Sequence, residues 1–379
     1  MTRRELLPLM VAVTLLSGCD ASVEGARCPC LPGYCCWGNV CRPESECHLT
    51  MAFVPKASDN AVFRVAFKAA RDAQDELNQD AFNPHVDVKC VSPQSLDAAQ
   101  QNSAVTDTIG SPANGLIVSC LDPALISPTI NAEARLGIPV ITYDSDCPGS
   151  QRMAFFGTDN EESARRAADQ LVHAMFAAGG NATKSVAILT GATSAQNLSE
   201  RVNGFIDQLK RPPNDQRDVR LVAYSSCNEE KAEPCGQAVE NLIQTNSELD
   251  GLFITGLWGL QSACSCSTES SCQCGDELMP HWKHAAHDKL KTVVYDSLPF
   301  ELALLNQGYV SALIGQNYRR WGHDTVWSMF HHLTQGLVVE SNQAHNEVYT
   351  RDSGPALPSW TSADFGEDLA TACDAPPLR

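Results

Sequence analysis

Basic residues are scarce in this chain. Twenty-seven Lys and Arg face 45 Asp and Glu, a net charge of −18 over 379 residues. Nucleic acid and anionic membrane surfaces are therefore poor partners, because both require a positive footprint. Long apolar runs are also missing: outside residues 6–16 none approaches the roughly 18 residues that a spanning helix needs. The G-x-S-x-G, H-E-x-x-H, G-x-x-x-x-G-K-[ST] and G-x-G-x-x-G patterns are absent, so the sequence offers no nucleophile elbow, zinc-hydrolase helix or phosphate-cradling loop. It points to no enzyme, no cofactor and no metal. Asp144 and Asp146 invite a comparison with the paired carboxylates of glycoside hydrolysis, but strand-end carboxylates serve binding equally well.

Cysteine, by contrast, is abundant, with 17 in the chain. Arg3 and Arg4 precede the apolar stretch 6–16, and Leu16-Ser17-Gly18-Cys19 closes it. This arrangement resembles a bacterial lipoprotein signal and implies cleavage before Cys19 and acylation of its sulfur. Residues 1–18 are then a signal peptide, and the mature protein is anchored in the cell envelope on its periplasmic side. Asp20 suggests the inner membrane. With Cys19 set aside, sixteen cysteines remain, an even number in a compartment that permits disulfides. Cys28, Cys30, Cys35, Cys36, Cys41 and Cys47 crowd into a segment too short to bury a core. Residues 19–48 read as a disulfide-stapled module, a stiff spacer between lipid and body, with connectivity open. A metal site and a partner-docking module are its alternatives. Cys227 and Cys235 are expected to close a short loop. Cys264, Cys266, Cys272 and Cys274 form an insertion, 264–274, for which two disulfides are favoured over zinc held with His281, His284 and His287. Cys90, Cys120, Cys147 and Cys373 stay unassigned.

From Leu49 onward, strand and helix signals alternate. Met51–Val54, Val86–Val91, Gly115–Ser119, residues 138–141, Val186–Thr190, Leu221–Tyr224, Gly251–Thr255 and Thr292–Tyr295 read as strands. Helical spacing of apolar residues separates them, as at Phe63, Ala66, Phe67, Ala70 and Leu77. Thr158 and Glu161 suggest a capping box opening the helix that carries Ala164, Ala167, Leu171 and Met175. Alternation of this kind predicts an α/β protein with two doubly wound parallel-sheet lobes. In open sheets of this kind ligands sit beyond the carboxyl ends of the strands.

Several ordered segments carry a resemblance. Residues 137–144 (GIPVITYD), residues 157–160 (GTDN), Phe53-Val54-Pro55-Lys56, Gly191 through Asn197 with Arg201 and Gly204-Phe205, Val294-Tyr295-Asp296 and Ala312 to Gln316 resemble the periplasmic binding protein type I family. Its sugar-binding members, ribose- and autoinducer-2-binding among them, are the nearest in pattern. The resemblance implies three crossings between lobes, near Gly157, Gln316 and residue 345. Lobe 1 would comprise 49–157 and 317–345, lobe 2 158–316 and 346–365, and residues 366–379 would form a tail. It further implies a small sugar-like ligand held in the cleft and presented to an ABC-type permease. The alternatives are a sensory lipoprotein serving a receptor kinase or chemoreceptor, and an envelope module that binds no ligand.

A sugar requires carboxylate and amide acceptors, a guanidinium donor and an aromatic face. By resemblance these are Asn60, Asp144, Arg201, Asp296 and Gln316, joined by Lys56, Asp59, Arg152 and Asn197, with Phe63 and Trp258 as stacking rings. Each has a structural alternative. Asp144 or Asp296 suits a helix cap, Arg201 a pairing with Glu200, Phe63 a core position, and Trp258 packing beneath the cysteine insertion. Gly256 departs from the family's polar pair, which leaves the contacts from that strand undefined. Lys56, Arg152 and Arg201 suit an acidic ligand; Asp144, Asp146 and Asp296 suit a neutral or cationic one.

Overall fold

The computed structural model describes residues 25–28, 30–93, 96–107, 113–261, 290–344, 346–366 and 369–373. Cys19 with its leader lies outside them, as do Cys264, Cys266, Cys272 and Cys274 and the histidines that follow.

The first described element is the cystine module. Strands Tyr34–Trp37 (β1) and Val40–Pro43 (β2) form an antiparallel hairpin around Gly38, whose φ of 65° matches a tight turn. Disulfides Cys28–Cys36, Cys30–Cys41 and Cys35–Cys47 staple it. It is not a free spacer. The Trp37 indole donates to the Leu333 carbonyl at 3.0 Å, and the Cys36 amide donates to the Phe82 carbonyl at 2.8 Å. An isolated two-stranded hairpin is marginal in water, and these contacts with the body supply the face it lacks.

In chain order, His48–Val54 (β3), His85–Cys90 (β4), Ala113–Val118 (β5), Val140–Asp144 (β6) and Ala154–Thr158 (β7) build the first sheet. Lys184–Thr190 (β8), Val219–Ser226 (β9), Gly251–Ile254 (β10), Lys291–Tyr295 (β11) and Ala312–Gly315 (β12) build the second. Asn342–Ala344 (β13) then returns to the first sheet and Glu347–Tyr349 (β14) to the second. The orders are β13-β7-β6-β5-β3-β4 and β14-β12-β11-β10-β8-β9. All neighbours in both are parallel except β12 and β14. The two lobes are thus doubly wound sheets of one pattern, and the chain passes between them after β7, after β12 and between β13 and β14.

Strand burial follows from this layering. Leu116, Ile117 and Val118 of β5 are wholly buried, as befits a parallel strand covered on both faces. The edge strand β9 instead exposes Leu221, Val222 and Tyr224. Helix Ala61–Asn78 begins at Asn60, whose side chain accepts from the Val62 amide, and buries Val62, Val65, Ala66, Ala69, Ala70, Ala73 and Leu77. Helix Tyr318–Gln335 packs against it so closely that a methyl on Gly322 would overlap the Ala66 carbonyl. In the second lobe, Phe205 stacks on Phe253 at 4.2 Å.

The capping box predicted at Thr158 is not what starts the next helix. Thr158 pairs with Ala344 as the last residue of β7, and Asp159 caps helix Asn160–Phe176 by accepting from the Glu162 amide at 3.0 Å. Strand pairing on both sides of β7 holds Thr158 in the sheet and moves the cap one residue on.

A fourth connection runs through the C-terminal segment. Trp360 donates to the Ser297 carbonyl at 2.8 Å, Arg64 donates to the Gly366 carbonyl at 3.2 Å, and Cys373 is bonded to Cys90 of β4. Beyond β14 the chain therefore crosses from the second lobe back to the first. Cys120 pairs with Cys147 and Cys227 with Cys235.

Candidate ligand-binding cleft

The carboxyl ends of both sheets meet. From the first lobe come Lys56, following β3, and Asp144, the last residue of β6; both are buried. Lys56 Nζ lies 3.1 Å from Asp144 Oδ2 and donates to Asn197 Oδ1 of the second lobe at 3.2 Å. Asn197 Nδ2 returns to Asp144 Oδ1 at 3.2 Å, and Ser119 Oγ donates to Asp144 Oδ2 at 2.7 Å. A buried charge stands only when paired and hydrogen-bonded, and this set meets that condition with groups from both lobes.

A second set centres on Arg201, 2% exposed on helix Gln196–Gln208. Its Nε donates to Asn160 Oδ1 at 2.9 Å, one terminal nitrogen to the Thr255 carbonyl at 2.8 Å and the other to Gln316 Oε1 at 2.7 Å. The guanidinium lies over the Tyr295 ring, 4.0 Å from its centroid. Gln316 Nε2 then donates to Asp296 Oδ1 at 2.7 Å, and Tyr318 donates to the same oxygen at 2.8 Å. Burial pushes the Asp296 carboxyl above the usual range, while Arg201, Gln316 and Tyr318 pull it back.

Backbone strain marks the same place. Among the described residues, four that are not glycine have positive φ: Asn39 in the module's hairpin, Asp144 (58°), Glu230 (51°) and Asp296 (86°). Asp144 and Asp296 sit at corresponding strand ends of the two lobes. Such conformations are costly and persist where the surroundings fix the side chain's direction for use.

The remaining sequence candidates fall elsewhere. Asn60 is spent on its helix cap. Asp59 is exposed. Phe63 is 2% exposed and meets Tyr143 edge to face at 6.2 Å, a core position rather than a platform. Arg152 closes a two-pronged pair on Asp146, both contacts at 2.5 Å, and Asp146 also accepts from Thr142 and the Cys147 amide. Trp258, expected as a stacking ring, is 5% exposed and packs over Gly191 and Gly256.

Sequence reasoning misses Asn160 and Glu230, and names Glu200 only as a direct partner for Arg201, which it reaches through Asn160. Asn160 links Arg201 to Glu200, accepting at Oδ1 and donating to Glu200 Oε2 at 3.3 Å. Burial raises the Glu200 carboxyl, offset by donors on Gln196 and Asn160. Glu230 follows β9 and accepts from the Ala192 amide at 2.9 Å. Burial raises its carboxyl, with Lys56 of the first set and Arg201 of the second drawing it down and Asp144 pushing it up.

Two parallel-sheet lobes with buried polar groups converging from their strand ends define a two-lobed ligand-binding protein. Residues 51–336 match the periplasmic binding protein domain, and the chain belongs to that family. Over 157 residues it is 25% identical to the ribose import binding protein RbsB of Bacillus subtilis (strain 168), an alignment spanning 41% of this chain and 48% of that one. The chain thus spans about half the length of the curated relative it matches. Solved structures share the fold over nearly their whole length. An ABC transporter solute-binding protein from Burkholderia graminis C4D1M in complex with D-arabinose has a TM-score of 0.69 at 24% identity, covering 83% of this chain and 98% of its own. GanP, a glucose-galactose binding protein from Geobacillus stearothermophilus, has a TM-score of 0.67 at 21% identity, covering 81% and 99%. Among the described residues no helix is long and apolar enough to cross a membrane.

Proposed function

We propose that this protein captures a small polyhydroxylated ligand between its lobes and presents it to an ABC-type permease from a lipid anchor at Cys19. The observation that carries the reading is the cleft itself. Lys56, Asp144, Asn197, Arg201, Asp296 and Gln316 supply carboxylate, amide, ammonium and guanidinium groups, drawn from both lobes and buried or part-buried. These are the donors and acceptors that vicinal hydroxyls match. A ligand bound to both lobes favours their closed arrangement, and a closed pair of lobes is a shape that a permease can read. The relatives named for ribose, arabinose, glucose and galactose support the ligand class.

The test is thermal denaturation against a panel of pentoses, hexoses, polyols, amino sugars and sugar acids. A ligand at 100 times its dissociation constant adds about 2.7 kcal/mol of stability. Stabilisation without chemical change of the ligand supports a binder. Turnover of a panel member would indicate an enzyme, and a silent panel a module that binds no ligand. Replacement of Cys19 by Ala should release the protein from the membrane fraction of the producing cell.

A further inference from the structure

Glu230 is the one carboxylate of the cleft left without a side-chain partner among the described residues. Asp144 has Lys56, Asn197 and Ser119; Asp296 has Gln316 and Tyr318; Glu200 has Gln196 and Asn160. Glu230 has only the Ala192 amide, and its φ of 51° places it with Asp144 and Asp296 among the strained residues. Of the three cations that suit an acidic ligand, Arg152 is closed on Asp146, Lys56 is held by Asp144, and Arg201 donates to Asn160, Gln316 and the Thr255 carbonyl. Beside Glu230 stands Trp258. Both reach the space above Gly191 at the end of β8, where an added methyl would lie 2.5 Å from Glu230 Oε1 and 2.8 Å from Trp258 Cη2. The Trp258 Nε1 is buried with no hydrogen-bond partner among the described residues, on a side chain 5% exposed. A carboxylate adjoining an indole is the pairing that recognises an ammonium group, through a charge-assisted hydrogen bond and the negative face of the ring.

Resting on the proposed binding function, we infer that the cleft selects a ligand that carries a protonated amine on its polyhydroxylated frame, an amino sugar or amino polyol, and that Glu230 with Trp258 is the selecting end. Glu230 is part-buried and feels Lys56 and Arg201 through space, with no cation bonded to its carboxylate among the described residues; a ligand ammonium supplies that direct partner where a neutral hydroxyl does so less well. The surplus of carboxylates over cations in the cleft then becomes the source of selectivity.

The experiment measures binding by calorimetry at about pH 6, where the amines are protonated. Wild type and Glu230→Gln are each titrated with glucosamine, galactosamine and mannosamine, with their neutral parents glucose, galactose and mannose, and with glucuronate. Gln keeps the acceptor for the Ala192 amide, and the melting curve without ligand confirms that the variant folds. The inference expects at least one amino sugar to bind wild type tenfold or more tightly than its neutral parent, and that preference to vanish in Glu230→Gln. A neutral sugar or glucuronate binding wild type as well as or better than every amine overturns the inference and leaves the binding function standing. An amine preference that persists in Glu230→Gln overturns the role of Glu230. No binding by any probe counts against the binding function itself, and the inference falls with it.

Discussion

Lys56 Nζ and Asp144 Oδ2 lie 3.1 Å apart with side chains 4% and 6% exposed. A pair this deep contributes through what its loss would leave behind, because removing one partner strands the other's charge in a low-dielectric site. Lys56→Met is expected to cost about 3–5 kcal/mol. Asp144→Asn should cost a similar amount, and the double variant clearly less than the sum. Urea denaturation of the four proteins measures the coupling. Additive losses would show that the two side chains do not share one interaction.

Asp144 and Asp296 were legible because a carboxylate directly after a buried apolar strand stands where parallel sheets bind ligands. Their positive φ was not, since nothing in an Asp codes for it beyond tolerance of that region. Glu230 escaped notice although it also follows a strand. Val219–Ser226 is an edge strand exposing Leu221, Val222 and Tyr224, so it lacks the continuous buried run that drew attention to β6 and β11. The Cys227–Cys235 loop, legible as a staple, hid the acid it carries. Arg152 misled for a related reason: side-chain type and proximity to a strand end do not reveal that Asp146 is its partner. The alternation of elements, by contrast, was sufficient for the two lobes, because parallel crossovers impose the βα order on the sequence itself.

Arg201 makes three hydrogen bonds, one from each guanidinium nitrogen, and lies 4.0 Å from the centroid of the Tyr295 ring. Lysine retains the charge but neither the planar fork nor the stack. Arg201→Lys should weaken ligand binding at least tenfold, about 1.4 kcal/mol, by releasing Gln316 and Asn160 from their positions. Calorimetry with whichever panel member binds wild type gives the number, and an unchanged dissociation constant would remove Arg201 from the site.

The Cys90–Cys373 bond joins residues 283 apart in sequence and secures the segment whose Trp360 reaches Ser297, next to Asp296. Closing so long a loop restricts the unfolded chain, and Cys373→Ser is expected to cost about 2–4 kcal/mol. Melting of oxidised wild type, reduced wild type and the variant separates this bond from the others. If the variant melts with wild type under oxidising conditions, the bond contributes nothing to the folded ensemble.

Glu133 supplies a pH dependence with a definite sign. It lies near the end of helix Pro123–Arg135, fully buried, and neither carboxyl oxygen has a hydrogen-bond partner among the described residues. Burial raises its pKa from 4.5 to about 7. The folded state therefore holds a proton that the unfolded chain releases, and the stability from this group is complete below about pH 4.5. It declines as pH rises toward 7 and is lost above that, where the fold must bury a charge or open to solvate it. Methionine matches the shape of glutamate and suits a helix. Glu133→Met should leave stability near pH 5 little changed and raise it by about 1–2 kcal/mol near pH 8. Burial also raises Glu230, Asp296 and Glu301, so the difference between the two proteins, rather than the wild-type curve alone, isolates this residue. Urea denaturation at a series of pH values reads it directly: a gap that widens between pH 5 and 8 is expected, and parallel curves would mean that Glu133 keeps an ordinary carboxylate pKa in the fold.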